Sequence, residues 1–576
     1  MKKLGADIKG FGLLLMGVIV MLCSCRDEFY FVPSSETEGT RRNLVISLTV
    51  QQPGVQSPTS RAPFDTGYEL GFTKKECQIH TLTLIMMGVY NGEELFETWQ
   101  TIEPSEPTNG IYDVQFTLSG ITGTKHFYIL ANAEQEHINA FWAKDRIFDA
   151  GEGQSGHNIV GKLMEINHNE NGDGEGSNIL MAGIVKSNSG DRDIVIPTGD
   201  GNEDTDEKIT IDTPINLVRT VAKILLTCVP KSDAETDYVK VIDRKDAKTN
   251  PEGGGENTGW IKLAEVNYML NVLNRKTYLD YREDTEDTKD DDYLIDPNYE
   301  MSNWIEKRTN DNETTYGIID LDAYQKEFLY YDTQAMVEML NKSIPTTYQG
   351  GEPCMVRTAT LYEDKRIGET NATNPAHYTQ GLYCTENTVY NDMKFANEAD
   401  FQSAIRYVTT RVMVGAKYTP KVIWDGGDKP KTAQTEKEAQ EILKEVTDYT
   451  LEPVTYLAGT FWRDSEGNYY SLVGMKEKLQ DAPKTEFSRY DGGWGYYYTY
   501  IDENAKNGAI SKDTQTRWGI KRNHYYILRV EKIIAPGSPF PGNETMRIHS
   551  ELVDWVDKGG SEVEIKVPQQ SETAQP

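Results

Sequence analysis

The 576-residue chain predicts a mainly β protein, two β-sandwich domains with a few short helices and long loops. Three observations carry that expectation. Aromatic residues reach 10%, with 33 Tyr among many Gly and Thr, a composition suited to strands. Short apolar runs recur, and long polar loops separate them. The strand–helix–strand rhythm of a parallel sheet is missing.

The elements follow in order. Lys2, Lys3 and Lys9 precede an apolar run over residues 11–22. That run is short of the roughly 20 apolar residues a membrane-spanning helix takes, so residues 1–24 read as an export signal. "LCSC" ends it and is similar to a bacterial lipobox, in which the last cysteine, here Cys25, becomes the lipidated first residue. Cys25 would then anchor the exported chain in a membrane.

Residues 25–61 hold one alternating stretch, "NLVISLTV", with Leu44, Ile46, Leu48 and Val50 on one strand face. Pro53, Gly54 and Pro58 then keep the chain out of regular structure up to Arg61 and Ala62.

A first domain is expected over residues 62–212. Residues 77–90 read as a buried strand. Residues 110–120 and 125–134 read as a hairpin, and a short helix is expected near 136–148. "NENGDGEG" (169–176) spaces its polar residues like half a calcium loop, but Leu180 stands where the bidentate glutamate belongs. It and "GDGNEDTDE" (199–207) read as solvated acidic loops, and no metal is expected.

The second domain is expected over residues 213–576, opening on a strand at 215–230. Residues 281–296 form an acidic insert of expected mobility. Helical patterns cover 323–341 and 433–447, the latter expected on the surface. Later strands are expected at 407–420, 456–464, 524–537 and 561–567. In the last, Val563, Ile565 and Val567 alternate with Glu562, Glu564 and Lys566, the same period as residues 44–50.

Charge and motifs limit the function. The net charge of −31 repels nucleic acid. No His-Glu-x-x-His, Cys-x-x-Cys or Gly-x-Ser-x-Gly pattern is present, and the glycine clusters lack a phosphate loop's lysine. No pair of carboxylates stands out as acid and base, so no catalytic residue or cofactor is assigned and the chain reads as a non-enzyme. Of six cysteines, Cys354 and Cys384 are the favoured disulfide pair, with buried free thiols the equal alternative.

Several motifs together resemble the type V pilins (fimbrillins) of Bacteroidetes, most closely the major-subunit family of the minor fimbriae. They are the lipobox, Arg61 ahead of a strand, "FYILANA" (127–133), "VRTVAKI" (218–224), "YCTENT" (383–388), "TTRVMVGAKYTP" (409–420), "YDGGWGYYYTYI" (490–501) and "WGIKRNHYYILRVEKIIAPGSP" (518–539). The resemblance implies two transthyretin-like β-sandwich domains and a surface pilus subunit that supports adhesion and biofilm formation. It implies export through the periplasm as an outer-membrane lipoprotein and removal of residues up to Arg61 by an Arg-specific surface protease. Arg41 and Arg42 are rival cut sites that would leave residues 44–50 attached. Loss of Leu44, Ile46, Leu48 and Val50 would open a groove for a neighbour's C-terminal strand, with Val563, Ile565 and Val567 as its plugs. Implied partners are copies of the chain, other fimbrial subunits and host or bacterial surface receptors. The alternatives are a tip or accessory adhesin, and a monomeric surface lipoprotein binding glycans or host proteins.

Overall fold

The computed structural model describes residues 41–51, 79–149, 179–197, 207–243, 258–280, 296–298, 304–341, 357–358, 382–389, 400–501, 518–541 and 547–554, with a few positions omitted inside these ranges. The described residues are mostly β.

The N-terminal half builds two facing sheets. One has three strands in the order β4 (Ile111–Ile121), β1 (Arg41–Gln51), β9 (Glu207–Asn216). The other runs β10 (Val218–Arg219), β7 (Met181–Val185), β5 (Gly123–Ala131), β2 (Leu82–Tyr90), β3 (Glu93–Ile102), with β8 (Ile194–Ile196) on β5. Period-two alternation explains the three-stranded sheet. Tyr112, Val114, Phe116 and Leu118 turn inward from β4, while Asp113, Gln115 and Thr117 stay exposed. They share one core with Leu84, Phe127 and Ile129 of the facing sheet.

The expected hairpin of residues 110–120 and 125–134 does not form. β4 pairs with β1, whereas β5 pairs with β2 and β7, so the two consecutive strands lie in different sheets. Only Thr122 separates them, and Gly123, at φ +121°, supplies a backbone turn that side chains resist. The chain crosses the sandwich at this corner. The expected strand over 215–230 is likewise divided. β9 ends at Asn216, β10 joins β7, and β11 (Val221–Cys228) joins Leu382–Thr385 and His524–Ala535.

A second core lies between two sheets of the C-terminal half. His524–Ala535 is flanked by Val221–Cys228 and Val241–Asp243 and carries Arg547–Asp554. The facing sheet centres on Gly259–Asn271, Arg411–Pro420 and Trp494–Tyr500. Ile224, Leu226, Tyr268, Val414, Tyr418 and Leu528 fill the space between.

Helices are short. The one expected near 136–148 is Gln135–Ala140. The pattern over 323–341 resolves into Leu321–Glu327, capped by Asp320, and Thr333–Asn341, separated by the bridging pair Phe328–Leu329. The helix Glu436–Ile442 departs from its expected surface position on one face. Ala439 and Leu443, four apart, dock into the second core. Leu472–Asp481 is a further helix that the apolar pattern did not announce.

Candidate functional site

β1 fills the middle of the three-stranded sheet. It pairs antiparallel with β4 without interruption, from Arg41 opposite Ile121 to Gln51 opposite Ile111. On its other edge it runs parallel to β9. Leu44, Ile46, Leu48 and Val50 are all buried, at 0–3% exposure. Across β4 they face Leu118, Phe116, Val114 and Tyr112, and across β9 Ile46, Leu48 and Val50 face Ile209, Ile211 and Ile215. Each fully buried branched side chain contributes about 1.5–3 kcal/mol, so four make this strand a substantial part of the core.

The chemistry of this site is backbone pairing and shape. β1 alone joins β4 to β9 in their sheet. Taking it away would leave two unpaired edges and a row of apolar sockets, the arrangement that recruits another strand.

One edge is irregular. Leu48 faces Ile211 and Val50 faces Ile215, so Asp212, Thr213 and Pro214 of β9 together oppose Thr49. Two residues are in excess. The even number keeps Ile211 and Ile215 on the inward face. Asn188 satisfies the bulge: its Oδ1 accepts from Asp212 N at 2.9 Å and Thr213 N at 3.4 Å, and its Nδ2 donates to Thr210 O at 3.1 Å. A turn after β7 presents Asn188, with Gly190 N donating to Ser187 O at 2.8 Å and Asp191 N to Ser187 Oγ at 3.1 Å. Outside the bulge lies a hollow of about 330 Å³, lined by Ser47, Thr49, Asp113, Gln115, Thr210 and Asp212 among others. Thr49 Oγ1 donates to Asp113 Oδ1 at 3.3 Å.

The other expected site residues are placed as follows. Cys25, Arg61, Ala62, Cys354, Val563, Ile565 and Val567 lie outside the described residues. The calcium-like loops do too, except for Glu207. Arg41 and Arg42 are the first residues of β1, their backbone already paired with β4. Cys384 is a free, buried thiol in Leu382–Thr385, and burial pushes its pKa well up. Among the described residues no cluster of three or more His, Cys, Asp or Glu is arranged to hold a metal, and no helix is long and apolar enough to cross a membrane. Asn188 and the bulge were not anticipated. The available signal was Pro214 inside a strand pattern, which marks edges and bulges.

A largely β chain whose first described strand occupies the centre of a small sheet defines the class: a sandwich protein with residues 41–51 built into its first core. Comparison with known proteins is more specific. Residues 488–575 match the family model "Major fimbrial subunit protein type IV, Fimbrillin, C-terminal". The match makes residues 488–575 similar to the C-terminal region of fimbrillins.

Solved structures give distant likenesses. A Parabacteroides distasonis protein assigned to cell adhesion is 12% identical, with TM-score 0.38, covering 90% of this chain and 99% of its own. The fimbrilin FimA from Porphyromonas gingivalis is 13% identical, with TM-score 0.38 and coverages of 89% and 98%. The tip fimbrial protein Mfa3 from P. gingivalis, truncated at its C-terminus, is 10% identical, with TM-score 0.28 and coverages of 89% and 100%. No curated protein matches the chain. The matched model is named for a fimbrial subunit.

Proposed function

We propose that the chain is a structural stalk subunit of a surface fimbria, activated by proteolysis and polymerised by strand exchange. Residues 1–24 direct export, Cys25 carries the lipid that holds the precursor at the outer membrane, and residues 25–61 are a propeptide. An Arg-specific protease cuts between Arg61 and Ala62. β1 then leaves, and the C-terminal segment of a neighbouring copy takes its place through Val563, Ile565 and Val567. The filament supports adhesion to host or bacterial receptors and biofilm formation.

The central position of β1, with all four inward side chains buried, carries this reading. The strand is covalently joined to the residues that follow it through the segment that holds Arg61. Removal of residues 1–61 leaves a net charge of −33, suited to a body exposed outside the cell. The rival sites fit less well, because Arg41 and Arg42 sit inside the β1 ladder, where paired backbone resists a protease.

The test starts from the precursor lacking its signal, treated with an Arg-specific protease. The expected products begin at Ala62 and form ladders that survive mild detergent. A stable monomer beginning at Ala62 overturns strand exchange, and an intact Arg61 overturns the activation step.

A further inference from the structure

We infer that the strand replacing β1 enters in one register, with Lys566 in the place of Thr49. This rests on the strand-exchange reading above and adds the alignment and the side chains that select it.

Three alignments of residues 561–569 in the direction of β1 place both Val563 and Ile565 in sockets of β1. In the first, these residues take the places of Leu44, Ile46 and Leu48. In the second they replace Ile46, Leu48 and Val50. In the third, Val563 and Ile565 replace Leu48 and Val50, and only two sockets are filled, so apolar burial disfavours it. The first and second fill three sockets each, and burial does not separate them.

The remaining residues do. The first alignment puts Gln569 into the socket of Val50, which is fully buried, and a buried amide without partners is costly. It also puts Pro568, which has no N–H, opposite Asp113 within the β4 ladder. The second leaves small Ser561 at the Leu44 socket and moves Pro568 to the position of Gln51, the last rung.

The outward charges agree with the second. Position 49 faces Asp113 on β4 and the bulge containing Asp212 on β9, and both aspartates are exposed. Among the described residues neither has an ion-pair partner. Three residues of β9 stand opposite this one position, beside the hollow of about 330 Å³, where β1 has only a threonine. Asn188 already binds the bulge N–H groups of Asp212 and Thr213, so the side chain at position 49 finds carboxylates there rather than backbone donors. The same alignment sets Glu562 at the place of Val45, beside exposed Lys208. In the third alignment Glu564 would meet Asp113, a like-charge contact.

Cysteine trapping reads the register directly. Val45 faces Thr117 on β4, so the second alignment brings Glu562 to Thr117 and the first brings Glu564 there. Full-length chains carrying Thr117→Cys with Glu562→Cys, or Thr117→Cys with Glu564→Cys, are cut with the Arg-specific protease and oxidised. Linked peptides are then identified by mass spectrometry. The expected result is an intersubunit 117–562 disulfide with little 117–564. Adding Lys566→Glu should lower the 117–562 yield roughly fivefold, and Asp113→Lys combined with Lys566→Asp should restore it. Ladders linked mainly through 117–564, ladders linked through neither pair, or indifference to the charge at 566 overturn the register. Absence of ladders from the cut wild-type chain overturns strand exchange itself, which separates the two failures.

Discussion

The channel around β1 and the seam between the two cores are both buried, yet they are held together in opposite ways. The channel is lined by branched and aromatic side chains and closed by backbone ladders. At the seam, Arg522 pairs with Glu386 with both side chains at most 1% exposed. Arg522 Nη2 also donates to Thr277 Oγ1 at 3.0 Å and the Tyr278 carbonyl at 2.7 Å. Nearby, Arg146 pairs with Glu94 and with Asp280, the latter at 3.0 Å, and β6 (Ile147–Asp149) pairs with Lys276–Tyr278. Apolar sockets and backbone rungs accept any strand of the right alternation. A buried charge accepts only its own partner, because the desolvated ion left behind is costly. The seam therefore specifies one partner, whereas the proposed strand exchange needs only a segment of matching alternation in the channel.

That contrast predicts a graded series of effects. The largest belongs to the seam. Glu386→Ala strands the Arg522 charge and should cost about 3–5 kcal/mol, read as a lowered denaturation midpoint. Next comes the channel. Ile46→Ala should cost the uncut precursor about 2–4 kcal/mol. Its effect should vanish in material cut at Arg61 and filled by a neighbour's strand, and an equal loss in both would break the contrast. Asn188→Ala should cost about 1 kcal/mol, because two exposed bulge donors exchange their acceptor for water. Thr435→Ala removes the cap that accepts from Glu438 N at 3.2 Å and should cost about 1 kcal/mol by thermal melting, with the channel unaffected.

The smallest effect is a pH dependence far from both regions. Lys476 Nζ, at 2.6 Å, and Thr450 hold Asp448 down to about 2 from its ordinary 3.8. A carboxyl lowered on folding stabilises above its unfolded value. This contribution is thus complete above about pH 4 and lost as the pH falls towards 2. Lys476→Met should flatten stability across that window, and an unchanged acid limb would show that the pair contributes nothing.

Much of the channel was legible along the chain. Leu44, Ile46, Leu48 and Val50 repeat with the period of a strand, and all four are buried. The alternation of Tyr112, Val114, Phe116 and Leu118 likewise marks a sheet with one wet face. Pairing was less accessible. β4 and β5 are adjacent in sequence with a turn between them, which fits a hairpin locally, but each finds its partners across the sandwich. Local turn chemistry does not record which sheet a strand joins. The helix Glu436–Ile442 carries mostly polar residues, and only the docking of Ala439 and Leu443 shows that it covers the core. Asn188 had no signature, because its role depends on a bulge in a strand about two dozen residues away.

The sequence by itself determined the mainly β class, the inward face of the first strand and the acidic surface. Each follows from composition or from the period of two that a pleated backbone imposes on its side chains. Only the tertiary structure decided that β1 is the middle strand, that β9 carries a two-residue bulge opposite Thr49, and that buried Arg522 and Glu386 meet. These facts depend on which distant segments come together, and no local period encodes that choice.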